Sequence, residues 1–255
     1  MEKGGTFLAA LVLKKRGSHV GMILSFLIFI TFVVFLYVVL KPGISTGQDK
    51  KTIVQYIENK IVENTSANLT STSIVINSTQ NPGDKCVIFG GFLLMISGEI
   101  PTANIVIKNE TGNLQNSSVY ATDLEINRAG IDNLFFKIYY SPEFDLLNLG
   151  LGPPDCSPIT NLNYSVGIIK VDDYAFEKKF YQLIDYYNQS YDDLKRGWNI
   201  PPGNEFTFSF VQNNGTKIGI DQNISSTEIY SDEVPIQYVD NNANIQGGFI
   251  DVKVW

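Results

Sequence analysis

The chain has 255 residues, 44% of them hydrophobic and 18% charged, with 16 Phe and 13 Tyr; that is enough apolar and aromatic mass for a packed core, and it excludes disorder of the whole chain. Residues 1–40 carry four basic groups (Lys3, Lys14, Lys15, Arg16) and one acid, whereas residues 41–255 hold 15 basic and 25 acidic side chains, a net of −10, which argues against a nucleic-acid partner. The only histidine is His19 and the only cysteines are Cys86 and Cys156, so a Cys/His zinc site or a Ser-His-Asp triad beyond residue 40 is excluded and no cofactor is expected.

Residues 1–19 read as a cytoplasmic N-terminal segment. Val20 to Leu40 is a run of 21 residues without a charge, the length of one helical bilayer crossing, so membrane lipid is the expected partner of residues 20–40. Lys14-Lys15-Arg16 precedes the run and only Lys41 follows it directly; basic flanks stay cytoplasmic, so residues 41–255 are expected outside the cell membrane. A cleaved signal peptide is the alternative. The run is longer than an ordinary signal core, and its bulky end, Leu36-Tyr37-Val38-Val39-Leu40, offers no small-residue cleavage site. Phe7 to Leu13 is apolar but too short to span; it fits an interfacial piece, or a start of translation further downstream.

Pro42-Gly43 is expected to end the apolar helix. Residues 41–65 then form a juxtamembrane link and an amphipathic helix from about Asp49 to Glu63. Thr46 and Asp49 have capping-box spacing, and Ile53, Val54, Ile57 and Ile61 share one face. That face is suited to a membrane surface, to the outer domain or to a neighbouring chain.

Residues 66–255 read as one β-rich domain. Strands are expected at Ser73–Ile76, Val87–Met95, Asn104–Lys108, Val119–Ile126 and Leu134–Tyr140, between turn clusters at Asn81-Pro82-Gly83, Thr111-Gly112-Asn113 and Ala129-Gly130. Gly152–Pro158 reads as a loop and Val166–Val171 as a strand. A long helix is expected from about Tyr174 to Arg196, because Phe176, Phe180, Leu183, Ile184, Tyr187, Tyr191 and Leu194 keep one apolar face. Strands return at Phe206–Val211, Lys217–Ile220, Glu228–Tyr230, Pro235–Val239 and Phe249–Trp255, with Asn214-Gly215 as a hairpin signal. The fold class is therefore α+β: a transmembrane helix, a short amphipathic helix, then one long helix packed on antiparallel sheet. The early strands lack a helix of their own and the late helix needs a sheet, so the two halves are expected to form one unit.

Nine Asn-x-Ser/Thr sequons, at Asn64, Asn68, Asn77, Asn109, Asn116, Asn163, Asn188, Asn214 and Asn223, all follow the apolar run; they are the candidate glycosylation sites of an outer domain. Cys86 and Cys156 both lie beside turn signals and would close a loop of about 70 residues. A disulfide is the expected state, two buried free thiols the alternative.

Little else suggests chemistry. Asp240, Asn242, Asn244 and Asp251 stand at positions 1, 3, 5 and 12 of a calcium-loop pattern, but Ile245 occupies the glycine position and strands flank the segment, so a polar hairpin loop is the expectation and no metal ligands are assigned. Asp172-Asp173 and Asp192-Asp193 are adjacent in sequence and cannot face one another as an acid/base dyad; the first pair is expected near the start of the long helix. Trp198 is expected to cap the core, with an exposed recognition loop at Asn199–Gly203 as the alternative.

The order Lys14-Lys15-Arg16-Gly17, apolar helix, amphipathic helix and β-rich outer domain resembles archaeal type IV pilin-like membrane proteins. The stretches from Tyr191 to Arg196, Ile200 to Phe206, Pro235 to Tyr238 and Val252 to Trp255 also look like uncharacterised single-span surface proteins of small-genome archaea. The pilin resemblance implies a peptidase cut after Gly17, a mature chain beginning at Ser18, and copies of the chain as partners. Three functions follow as expectations: a glycosylated surface protein with a binding or structural domain and other surface proteins as partners; a filament or secretion-system subunit; and a surface hydrolase using carboxylates alone. With no catalytic constellation visible, the first is preferred and no catalytic residue is assigned.

Overall fold

A computed structural model of the chain describes residues 18–80, 83–97, 104–128, 130–145, 156–220, 224 and 228–255. The Phe7–Leu13 stretch, the junction after Gly17, the Asn81-Pro82 turn, Pro153-Pro154 and the Asn223 sequon lie outside the described residues. The chain divides into two compact units, Met1–Lys51 and Thr52–Trp255.

The described part of the first unit is helical. Helix α1 runs from Ser18 to Thr65, 48 residues, and its window His19–Val39 is long and apolar enough to cross a membrane, with none of it buried. The break expected at Pro42-Gly43 does not occur, and neither do the link at Ser45–Gln48 nor a separately capped second helix. An interior proline removes one backbone donor and costs about 3 kcal/mol. Helix favoured on both sides offsets it: the apolar run before, and a face seated in the core after.

In the second unit, Val54, Ile57 and Ile61 of α1 are buried, and the chain passes from Thr65 into the first strand without a loop. The elements that follow are β1 Ser66–Ile76, β2 Cys86–Phe89, α2 Phe92–Ser97, β3 Ile105–Asn109, β4 Asn116–Tyr120, β5 Asp123–Asn127, β6 Phe135–Tyr140, β7 Ser157–Ile159, β8 Tyr164–Val166, β9 Lys170–Phe176, α3 Glu177–Gly197, β10 Phe206–Val211, β11 Lys217–Gly219, β12 Tyr230–Val239 and β13 Ile245–Val254. The main sheet has the order β11-β10-β13-β12-β9-β1-β6-β3, with β8 also paired to β1; β4-β5-β2-β7 form a smaller sheet. All pairs are antiparallel except β12 with β9 and β2 with β7.

β1 is the hub. Its first residues pair with β9, its last with β8, and its other edge takes β6. Between β8 and β9 the chain passes close to β1 at Gly167, whose N–H donates to Ser73 O at 2.8 Å; a Cβ there would overlap the Ser73 hydroxyl. The single strand expected at Val166–Val171 is therefore two. Val87–Met95 also divides. Gly91, at φ 66°, turns the chain out of β2, its N–H held by Asp123 Oδ1 at 2.8 Å, and Phe92 to Met95 belong to α2. Val119–Ile126 is a hairpin, not a strand, turning at Ala121 with φ 53°. The helix start moves as well: Tyr174–Phe176 belong to β9 and α3 begins at Glu177. Glu228–Tyr230 and Pro235–Val239 are not separate strands, since one strand, β12, covers Tyr230 to Val239.

Three apolar clusters hold the unit. In the largest, α3 and the end of α1 cover β10, β12 and β13, with Phe180 stacked on Phe210 at 4.2 Å between centroids. In the second, the smaller sheet and α2 cover β1, β3 and β6 through Val87, Phe89, Phe92, Ile74, Ile107 and Phe136. A third joins Leu69, Phe144, Phe176, Val239 and Ala243. The expectation that the late helix covers the early strands is thus corrected. α3 covers the strands of its own half, and the early strands take a second sheet as their cover. What joins the halves is the continuous sheet through β9 and β1.

Candidate functional site

The loop between β12 and β13 is built around one carboxylate. Asp240 Oδ1 accepts the N–H groups of Asn242 (2.9 Å) and Asn244 (2.8 Å), and its Oδ2 accepts Asn244 Nδ2 (2.8 Å) and Gln246 Nε2 (3.0 Å). Ala243 closes the turn at φ 54° and is buried in the third apolar cluster. This is an aspartate turn: a short side chain replaces the backbone acceptors a tight loop lacks.

The sheet curls enough to bring β3, its last strand, against this loop. Lys108 is 6% exposed, and its Nζ donates to Ala243 O at 3.0 Å and to Asn244 Oδ1 at 2.7 Å. The ammonium lies 5.4 Å from the centre of the Tyr139 ring. Burial pulls the Lys108 pKa below the usual lysine range; the Asp240 charge opposes this, and Lys137, its cross-strand partner on β6, adds to it.

The calcium-loop pattern is not assembled. Asp251 sits on β13, beside Lys217 (3.2 Å), Lys253 (3.7 Å) and Ser209 (3.4 Å). Among the described residues no three His, Cys, Asp or Glu side chains are placed to share a metal. Asp172 and Asp173 lie on β9 and not at the start of α3, because the strand runs on to Phe176; Asp172 pairs with Lys170 at 2.6 Å. Asp192 and Asp193 lie on α3, with Asp193 bound to Arg196. Trp198 is buried and stacks on Phe206 at 5.5 Å, capping the core at the end of α3.

Cys86 and Cys156 form a disulfide with Cα atoms 4.5 Å apart. It stands beside the parallel pairing of Val87 with Ser157, so the sheet register itself presents the two cysteines to each other. Asn64, Asn68, Asn77, Asn116, Asn188 and Asn214 are exposed, and Asn109 and Asn163 are half-buried. Asn77 and Asn109 each accept the hydroxyl of the threonine two residues on, at 2.8 Å. A shallow depression of about 670 Å³ adjoins Asn116, lined also by Asp84, Lys85, Ser118 and Glu125.

Sequence reasoning missed the polar groups that folding brings together. Glu205 accepts Lys195 Nζ at 2.5 Å and the Tyr191 hydroxyl at 2.6 Å; burial opposes its charge, but these hydrogen bonds prevail and hold it below the usual carboxylate range. Glu58 on α1 is buried, and its Oε1 has no hydrogen-bond partner among the described residues. Burial first, then the charge of Asp232, raises its pKa. A carboxyl raised in the folded state adds stability below its unfolded value of about 4.3 and loses it as pH rises through the folded value. Glu58→Gln, which mimics the protonated form, is therefore expected to stabilise the protein by about 1 kcal/mol at pH 7. The gain should vanish in acid. Urea unfolding at pH 7 and at about pH 4 checks this; a gain equal at both would contradict the assignment.

No protein-family model, curated protein or solved structure matches this chain.

Proposed function

We propose that the chain is a single-span surface protein, held in the cell membrane by His19–Val39 and working outside it through the unit Thr52–Trp255, a binding or structural module. The observation that carries this reading is the fully exposed apolar window of α1. Its 21 residues measure about 32 Å as a helix, which matches the hydrocarbon core of a bilayer. Lys14-Lys15-Arg16 sets the N-terminus inside. The disulfide and the exposed sequon asparagines suit an oxidising, glycan-bearing exterior. Protease added to intact cells is expected to remove a C-terminal tag while an N-terminal tag stays protected. A protected C-terminus would reverse the topology.

The continuity of α1 favours a second reading, a filament subunit. One helix carries the apolar run and, without a break, the buried face at Val54, Ile57 and Ile61. In that case the mature protein begins at Ser18 and shearing releases polymers of it. A mature N-terminus at Met1 and a monomeric extracted protein would remove this reading.

A further inference from the structure

We propose that Lys108 and Asn244 become joined by an intramolecular amide bond, with Asp240 as the proton carrier, so that β3 is covalently fastened to the β12–β13 loop.

Three groups are already in place. The nucleophile, Lys108 Nζ, is 2.7 Å from Asn244 Oδ1. From the C=O length and an ordinary hydrogen-bond angle, the amide carbon Cγ then lies roughly 3.5 Å from Nζ, at the edge of attack distance. The carboxylate oxygen Asp240 Oδ2 accepts a hydrogen bond from the nitrogen that must leave, Asn244 Nδ2, at 2.8 Å. A fixed electrophile, a nucleophile against it and a carboxylate on the leaving group are what exchange of one amine for another on a carboxamide requires.

Burial works against the charged form of Lys108, while the Asp240 charge and the Tyr139 ring favour it. Lys108 is 6% exposed, and its side chain runs beside the Tyr139 ring. Lys137 stands opposite on β6 and disfavours a second positive charge, though Asp240 works in the other direction. An amine desolvated in this way is the nucleophilic form of lysine.

The step balances. The Lys108 ammonium first gives one proton to water. Nζ then attacks Asn244 Cγ, and the new C–N bond forms as the amide C=O opens to a tetrahedral centre. A water relays the proton shed by Nζ to Asp240, whose Oδ2 hands it to Nδ2. The C–Nδ2 bond breaks, ammonia leaves, and the carbonyl re-forms. One amide replaces another, with no oxidant, reductant or bound cofactor.

Peptide mapping of the purified full chain, reduced and alkylated, tests this without any variant. The expected product is the Lys108 peptide joined to the Asn244 peptide, lighter than their sum by one ammonia. Recovery of the two as separate, unmodified peptides from folded protein would overturn the proposal and leave Lys108 as a charged staple. Lys108→Arg keeps a cation at the loop but cannot form the bond. On a reducing denaturing gel the wild-type chain, with 135 residues of sequence between its joined positions, should run faster than this variant; equal migration would count against the bond. Asp240→Asn should leave Lys108 and Asn244 unlinked in protein whose circular dichroism is native. Full linkage in that variant would remove Asp240 from the step.

Discussion

Truncation of Phe206 to alanine is expected to lower the stability of the unit Thr52–Trp255 by about 4 kcal/mol, within the range for emptying an aromatic core site. Phe206 is fully buried at the start of β10. Its ring meets Tyr187 (5.6 Å), Tyr191 (5.5 Å) and Trp198 (5.5 Å), so one side chain links the C-terminal half of α3 and the residue after it to the sheet. Its backbone is tied to the same residues: Phe206 N–H donates to the Tyr191 hydroxyl at 3.1 Å, and Phe206 O accepts the Tyr187 hydroxyl at 2.5 Å. These bonds hold the neighbours in place and oppose collapse into the void, which puts the cost high in its range. Both tryptophans, Trp198 and Trp255, lie in this unit, so urea unfolding followed by tryptophan fluorescence reports on it. Phe206→Leu should recover most of the loss. A loss below about 1 kcal/mol for the alanine variant would mean that the cluster does not hold α3 to the sheet.

The second large effect belongs to the disulfide. The bridge closes 70 residues, which the chain-entropy model values at about 4 kcal/mol. Cys86→Ser with Cys156→Ser is expected to lower Tm by about 10 °C, and reduction of the native protein should do the same. The local effect should be sharper still. β7 is three residues long and joins the smaller sheet through one parallel edge, so the backbone amides of β2 and β7 should exchange first. No change in Tm on reduction would show that β7 is held by packing alone. A Lys108–Asn244 bond would close a second loop that shares residues 108–156 with this one. Each link shortens the unfolded loop that the other closes, so removing both should cost more than the two separate losses combined.

Local patterns made much of this fold readable. The uncharged run before Leu40, the alternation of Phe206, Phe208 and Phe210, and the repeating aromatic face of α3 are each properties of a short window, and each matches an element in the structure. Turns at ordinary residues were not readable. Ala121 carries a left-handed backbone with no glycine, asparagine or proline to announce it, so a hairpin reads as one strand. Nor does the apolar text from Val87 to Met95 tell a strand from a strand followed by a helix. Pro42 misled because a helix breaker acts against the stability of its neighbours, and here both sides are strong.

The Asp240 loop shows the same limit at the level of chemistry. Its polar residues are visible in the sequence and group with Asp251, at position 12 of a calcium template. The partner that matters is Lys108, reached only because the sheet curls through β9, β1 and β6. No window of sequence contains both ends of such a contact. A buried lysine in a short strand with the text Ile105-Val106-Ile107-Lys108-Asn109 reads as an ordinary exposed strand end.

β13 lies between β10 and β12 in the main sheet, yet it is the last of the described strands in the chain. A polypeptide emerges from the ribosome N-terminus first. The apolar part of α1 is therefore available to a membrane while β13, an interior strand of the sheet, has still to be made. Until Ile245–Val254 arrives, β10 and β12 each lack the strand that separates them, and Phe208, Phe210 and Tyr238 have no inner partner at Ile250 and Val252. Assembly of the main sheet is thus deferred until β13 has been made, and its pairings span long sequence distances, which slows folding and leaves open edges exposed meanwhile. Under the anchoring proposed above, a chain tethered early would spend that interval at high local concentration beside its own copies. The exposed asparagines on β1, β4 and α3 lie on elements finished before β13, where bulky polar groups would keep such unfinished neighbours apart.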